Sequence, residues 1–283
     1  MRERGTAPVV GRRRGVAASL RLRLRLRLGF GIALALGLAL AAATPLAHAQ
    51  DYAREQRWAD ETLATLMVGD AVRLEQKSGH RFLGLYTRAA SPRGAVVIAH
   101  GRGWAPDFEL YGALRTRLAE AGYATLSIQM PVLDGTAKLG DYLPLFGDSD
   151  ERLALAVRWL HAQGHRQVAI VSHSLGATMA NHYLVRTPQS GVDAWAFIGI
   201  INGLDDMFRI NIPVLDVFGT DDWQVTRLGA DERLAQIKRI AGSEQVIVPG
   251  ADHFFEGRHD ALVRVIADFL GRAFAQGNPR NPR

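Results

Sequence analysis

Cysteine is absent from the 283 residues. Disulfides, thiol nucleophiles and cysteine-ligated metals are thereby excluded, whereas export is not, since a secreted chain can fold without cross-links. Excess positive charge is missing too, outside one segment. The formal charge is +6, yet the first 49 residues hold nine arginines and one glutamate, and the other 25 basic and 27 acidic residues leave a net −2. A body so nearly neutral has no electrostatic footprint for nucleic acid. Internal repeats and low-complexity linkers are also lacking, and 48% hydrophobic with 22% charged residues is the composition of one large globular domain.

The arginine-rich start leads into an apolar segment, Leu28 to Ala43, and then into "PLAHAQ", where Ala47 and Ala49 flank His48. That order is an export signal with cleavage after Ala49. The alternating "LRLRLRLRL" from Leu20 to Leu28 is read as its charged n-region rather than a strand. If retained, Leu28 to Ala47 approaches the roughly 20 residues that span a bilayer, so an uncleaved anchor is the alternative. The expected organisation is a signal peptide over 1–49, an N-terminal extension over 50–70, the folded domain over 71–275 and a disordered tail, "QGNPRNPR", over 276–283.

Within the domain, strand and helix patterns alternate. "VRLEQK" and "RFLGLYT" around Gly79 read as a hairpin, and "GAVVIAHG" from Gly94 as a buried strand. Asp107 is placed to cap a helix over 108–121 that Gly122 ends. "YATLSIQM" is the next strand. After an irregular stretch from Pro131 to Gly147, Asp148 and Glu151 have capping-box spacing and open a helix with a Leu153, Ala156, Leu160 stripe. "VAIVSHSLGATMANHYL" reads as strand, tight turn and helix, with Ser174 at the turn. "AWAFIGI", "PVLDVFG" and "EQVIVP" are further strands, with helices from about Thr226 to Ala241 and about Arg258 to Phe274. This alternation demands a mostly parallel α/β sheet with helices on both faces and an antiparallel N-terminal hairpin.

In such sheets reactive groups collect at the carboxyl ends of the strands. Those ends carry His100 to Gly103, Ser174, Asp205 and Asp206, Asp221 and Asp222, and His253. A serine at a strand–helix junction can be a mere N-cap. Here, however, "SHSLG" resembles the nucleophile elbow of the α/β-hydrolase superfamily, and the order Ser174, Asp222, His253 matches that superfamily's serine, acid, histidine. The resemblance spans nearly all of Val72 to Phe274. "AEAGYATLSIQMP" with "SHSLGA" is also similar to a group of exported bacterial α/β-hydrolase-like proteins whose substrates are uncharacterised. One departure stands in the elbow: Ser172 occupies the place of the first glycine.

The resemblance implies roles. Ser174 is the nucleophile, His253 its base and Asp222 the acid that orients the imidazole, with Asp221 a close competitor and Asp205 or Asp206 the fallback. The backbone N–H groups of Leu175 and Arg102 are the expected oxyanion hole. Trp104, Met130, Tyr142 and Trp223 lie near strand ends and are candidates for a substrate pocket. His173 is read as structural, His161 and His165 as a solvated pair rather than a metal site, and Asn181 and His182 as packing. Only Ile201 to Ile212 join the sixth and seventh strands, too few for a cap domain, so an open cleft partly covered by 131–147 is expected.

The expected protein is an exported, periplasmic or secreted, serine hydrolase acting on small or polymer-attached carboxylic esters through an acyl-enzyme. No metal, organic cofactor or nucleic-acid partner is implied, nor stable membrane insertion once the signal is cleaved. The alternatives are an acyltransferase using the same triad, or a binding protein of the envelope that keeps the fold without turnover.

Overall fold

The computed structural model describes residues 50–201 and 203–276; the expected leader and most of the tail lie outside them. Eight strands form one sheet: β1 (Asp70–Glu75), β2 (Arg81–Thr87), β3 (Ala95–Ala99), β4 (Ala124–Ile128), β5 (Val168–His173), β6 (Ala194–Ile198), β7 (Val214–Gly219) and β8 (Glu244–Val248). Their order is β1-β2-β4-β3-β5-β6-β7-β8. The β1/β2 and β2/β4 pairs are antiparallel, and every pairing from β4 through β8 is parallel.

The β3 run "AVVIA" is buried at every position because helices cover both faces of the parallel part. Successive side chains alternate between faces. Val97 and Ile170 therefore enter one core, with Leu153 and Leu160 of α3 (Phe146–Ala162) and Met179 and Tyr183 of α4 (Leu175–Arg186). Val96, Ile98 and Val171 enter the other, with Leu114 and Leu118 of α2 (Leu110–Glu120) and Leu262, Ile266 and Phe269 of α7 (His259–Gln276).

Residues 50–70, expected as an extension, contain a helix, α1 (Tyr52–Thr65), whose Ala59 packs on Leu83 and Leu85 of β2. Its Glu55 carboxylate accepts from Arg152 Nη1 at 3.1 Å and Nη2 at 3.0 Å, both residues being buried. Arg152 also donates to the Gln129 carbonyl (2.9 Å) and to Gln76 Oε1 (3.1 Å). Breaking a buried pair of this kind costs about 3–5 kcal/mol, enough to make α1 integral to the fold.

Four helix boundaries differ from expectation. Asp107 caps nothing; its carboxylate accepts from Arg115 Nε (2.8 Å) and Nη2 (2.6 Å), and α2 starts later, at Leu110. The third helix starts at Phe146 because a 3₁₀ turn, Leu139–Leu145, runs directly into it. The single helix expected from Thr226 is two, α5 (Gln224–Leu228) and α6 (Ala230–Ile237), parted at Gly229. Gln276, expected to open the tail, is the last residue of α7. Between β6 and β7 the described residues form only a three-residue 3₁₀ turn, Met207–Arg209, in agreement with the expectation of no cap domain. No helix among the described residues is long and apolar enough to cross a membrane.

Candidate active site

Ser174 leaves β5 with φ +54° and ψ −121°, a conformation that non-glycine residues rarely adopt and that costs about 1–3 kcal/mol. Its N–H is held by the Ile198 carbonyl at 2.9 Å. Its side chain caps nothing on α4, which disposes of the helix-start reading. Gly176 explains the last letter of "SHSLG": a Cβ there would lie 2.4 Å from the His100 carbonyl oxygen and 2.7 Å from that of Ala99. Only a glycine lets α4 approach the end of β3 so closely. Ser172, in place of the motif's first glycine, is buried and uses its hydroxyl to accept from Trp195 Nε1 at 2.9 Å. The departure is therefore absorbed by an indole on the neighbouring strand β6.

The serine hydroxyl donates to His253 Nε2 at 3.2 Å, and His253 Nδ1–H donates to Asp222 Oδ1 at 2.7 Å. All three residues are buried. Asp222 Oδ1 also accepts from the Trp223 N–H at 2.6 Å, fixing the carboxylate toward the ring. Gly199, at φ +55°, backs this pair: a Cβ there would sit 3.0 Å from both Asp222 Oδ2 and His253 Nδ1. The competing carboxylates are elsewhere. Asp221 is exposed and accepts from its neighbour Thr220, and Asp206 lies 3.9 Å from Arg209. Asp205 is held through its backbone, its N–H donating to Asn181 Oδ1 (2.8 Å) and its carbonyl accepting from Asn181 Nδ2 (3.2 Å).

The loop after β3 lies against the elbow, since a Cβ on Gly101 would be 3.2 Å from Ser174 Cβ. His100 sets that loop. Its Nδ1–H donates to the Gly101 carbonyl (2.8 Å) and its Nε2 accepts from the Met130 N–H (2.9 Å) and Gln129 Nε2 (2.8 Å). Burial, the largest cause, holds His100 down to about pKa 4, so the ring is neutral as this pattern requires. The Gly101 carbonyl and the Arg102 N–H belong to one planar trans peptide and point in opposite directions. Pinning the first therefore aims the second. Neither the Arg102 nor the Leu175 N–H donates to another described residue. The Arg102 side chain ties the loop to segment 131–147 by donating to the Ala137 carbonyl at 2.8 Å.

Of the four pocket candidates, Trp223 is exposed and Trp104 half-buried, both near His253. The Trp223 ring stacks on His253 with centroids 3.6 Å apart, and Phe254 packs edge-on to Trp223 at 6.3 Å and to Trp104 at 5.4 Å. Trp104 in turn stacks on Phe108 at 4.4 Å. A cavity of about 400 Å³ lies beyond, between α1 and this loop, lined by Trp58, Thr62, Gly103, Trp104 and Phe108 among others. Met130 and Tyr142 are core instead, each 1% exposed, and the Tyr142 hydroxyl accepts from the Leu133 N–H at 3.2 Å.

The remaining histidines have other partners. His161 faces the carbonyls of His165 and Gly191, and His165 the Tyr86 hydroxyl; His182 pairs with Asp150 at 2.9 Å. No cluster able to hold a metal occurs among the described residues. Sequence reasoning missed one pair: Tyr111 of α2 meets His173, read as structural, through a hydrogen bond of 2.8 Å. A hydroxyl in the otherwise apolar stripe of α2 was the available signal.

A sequence-family profile described as "Protein of unknown function (DUF3530)" matches residues 32–142. No curated protein matches the chain. Solved structures do. Dienelactone hydrolase from Anabaena variabilis is 22% identical with a TM-score of 0.58, covering 72% of this chain and 96% of its own. An α/β serine hydrolase without a lid from Xanthomonas campestris is 15% identical with a TM-score of 0.60, covering 73% and 95%. The esterase domain of a Rhodothermus marinus protein is 18% identical with a TM-score of 0.54, covering 73% and 99%. Sheet order, elbow and structural neighbours agree, and the chain has the α/β-hydrolase fold.

Proposed function

We propose that this protein is a serine hydrolase that cleaves carboxylic esters through an acyl-enzyme. One observation carries the reading: a buried, continuous hydrogen-bonded array from Ser174 through His253 to Asp222, with the serine held in a strained turn at a sheet's carboxyl edge. Ser174 Oγ attacks the ester carbonyl while His253 Nε2 takes its proton, and Asp222 stabilises the imidazolium that results. The carbonyl oxygen, now negative, accepts from the N–H groups of Arg102 and Leu175. His253 then returns the proton to the departing alkoxide. In the second half-reaction it deprotonates water, which attacks the acyl carbon, and as the carboxylic acid leaves, His253 returns that proton to Ser174 Oγ.

Trp223 favours the charged ring, since a cation over an indole face gains about 0.5–2 kcal/mol. The group of the ester remote from the reacting carbon has a place in the Trp104–Phe108 cavity, beside the loop that carries the Arg102 amide. Export by the leader is part of the same reading and rests on the sequence of residues 1–49. Hydrolysis of a short-chain nitrophenyl ester by the purified protein tests the reaction. Turnover in the wild type, abolished in Ser174→Ala and strongly reduced in Asp222→Asn, is the expected result; equal rates in wild type and Ser174→Ala refute it.

A further inference from the structure

Two buried side chains outside the triad join its parts. The Gly101 N–H donates to the Tyr111 hydroxyl at 2.9 Å, that hydroxyl meets His173 Nδ1 at 2.8 Å, and His173 Nε2 meets the His253 carbonyl at 2.9 Å. The ends of this chain fix its direction. An amide can only donate and a carbonyl can only accept, so the Tyr111 O–H donates to a bare Nδ1 and His173 carries its proton on Nε2. Tyr111 is 1% exposed and His173 1% exposed, so water does not compete for these bonds.

The two loops so joined are the ones whose relative placement the chemistry needs. Gly101 immediately precedes Arg102, the candidate oxyanion donor, and His253 is the candidate base. Ser174 follows His173 directly in the chain. A displacement of one loop against the other by a fraction of an ångström would lengthen either the 3.2 Å bond from Ser174 to His253 or the reach of the Arg102 amide. We propose that Tyr111 and His173 are positioning residues that set the oxyanion loop and the base loop at a common distance from Ser174. This rests on the hydrolase reading above and adds to it a bridge through which both loops are placed together. Burial, the largest cause, brings His173 down to about pKa 3, so the bridge keeps a single proton arrangement through the neutral range.

The bridge predicts a pattern that packing alone does not. Tyr111→Phe keeps the ring and removes the link, so kcat falls about 10- to 100-fold, less than the about 100- to 1,000-fold typical of deleting an oxyanion donor outright, while KM is unchanged. His173→Gln offers an amide N–H toward the His253 carbonyl and an oxygen toward Tyr111, and it restores much of kcat; His173→Leu does not. The double variant Tyr111→Phe/His173→Leu loses no more than the worse single variant, because either break severs the same chain. Rates that follow the melting temperatures of the variants, with Gln no better than Leu, overturn the proposal, as does a folded Tyr111→Phe with full kcat.

Should these variants fail to fold, ¹⁵N NMR of the wild type reads the His173 tautomer. A protonated Nε2 with a bare Nδ1 supports the bridge, and the opposite tautomer overturns it. Reaction of a fluorophosphonate with Ser174 separates the two readings. If the wild type does not react, the hydrolase reading fails and takes the bridge's role with it. If wild type and Tyr111→Phe react equally fast, only the bridge fails.

Discussion

The indole of Trp223 lies flat on the imidazole of His253, ring centroids 3.6 Å apart and planes 13° from parallel, while remaining 47% exposed to solvent. It touches His253 on one face and water on the other. Removing it therefore changes the ring's charge stabilisation more than the protein's stability. Trp223→Ala is expected to lower kcat about 2- to 30-fold, the rate equivalent of a cation–π contact, with little change in melting temperature. Trp223→Phe retains most of the rate. Steady-state kinetics beside thermal unfolding check this, and a Trp223→Ala enzyme of wild-type kcat would remove the indole from the mechanism.

Ser172 gives a prediction of the opposite kind. Restoring the motif's glycine with Ser172→Gly leaves the Trp195 N–H, fully buried, without its 2.9 Å acceptor. An unsatisfied buried donor costs about 1–3 kcal/mol, so the variant unfolds at lower denaturant while its kcat at ambient temperature stays close to wild type. A variant more stable than wild type would show that the hydroxyl is not what accommodates the serine.

Acid should weaken the fold well before the carboxylates titrate. His100 and His173 are held neutral by burial, down to about pKa 4 and about 3, against 6.5 in the unfolded chain. Below pH 6.5 the unfolded chain takes up protons that the native state refuses, so unfolding is favoured as pH falls. With both histidines the slope approaches about 2.7 kcal/mol per pH unit between pH 6 and 4.5. Asp216, whose carboxyl burial raises, offsets part of this at the acid end. Urea midpoints across pH 7 to 4.5 read the slope, and His173→Gln should reduce it by about half. A midpoint independent of pH over that range contradicts the assignment.

Much of this molecule was legible in its residues because its chemistry sits in short local patterns. Ser174, Asp222 and His253 each follow a recognisable strand, and the order of a parallel sheet brings such ends together without further information. Asp222 was preferred over Asp221 only on its resemblance to the family's acid position, since both precede Trp223 by one or two residues and the turn after β7 decides which one faces the ring. Asp107 had the spacing of a cap, but Arg115, two turns on, takes its carboxylate instead. Met130 follows β4 as a pocket residue would, and Tyr142 lies in the 3₁₀ turn before α3, yet both are buried in the core. Tyr111 and His173 are 62 residues apart, and nothing local announces their meeting.

The central claim is that Ser174 is a nucleophile activated by His253, and mass spectrometry of the protein after exposure to a fluorophosphonate tests it most directly. The account predicts one adduct per chain, mapped to the peptide holding Ser174, absent from Ser174→Ala and formed far more slowly in His253→Ala. An adduct that persists in Ser174→Ala, or a wild type that remains unmodified, would contradict it.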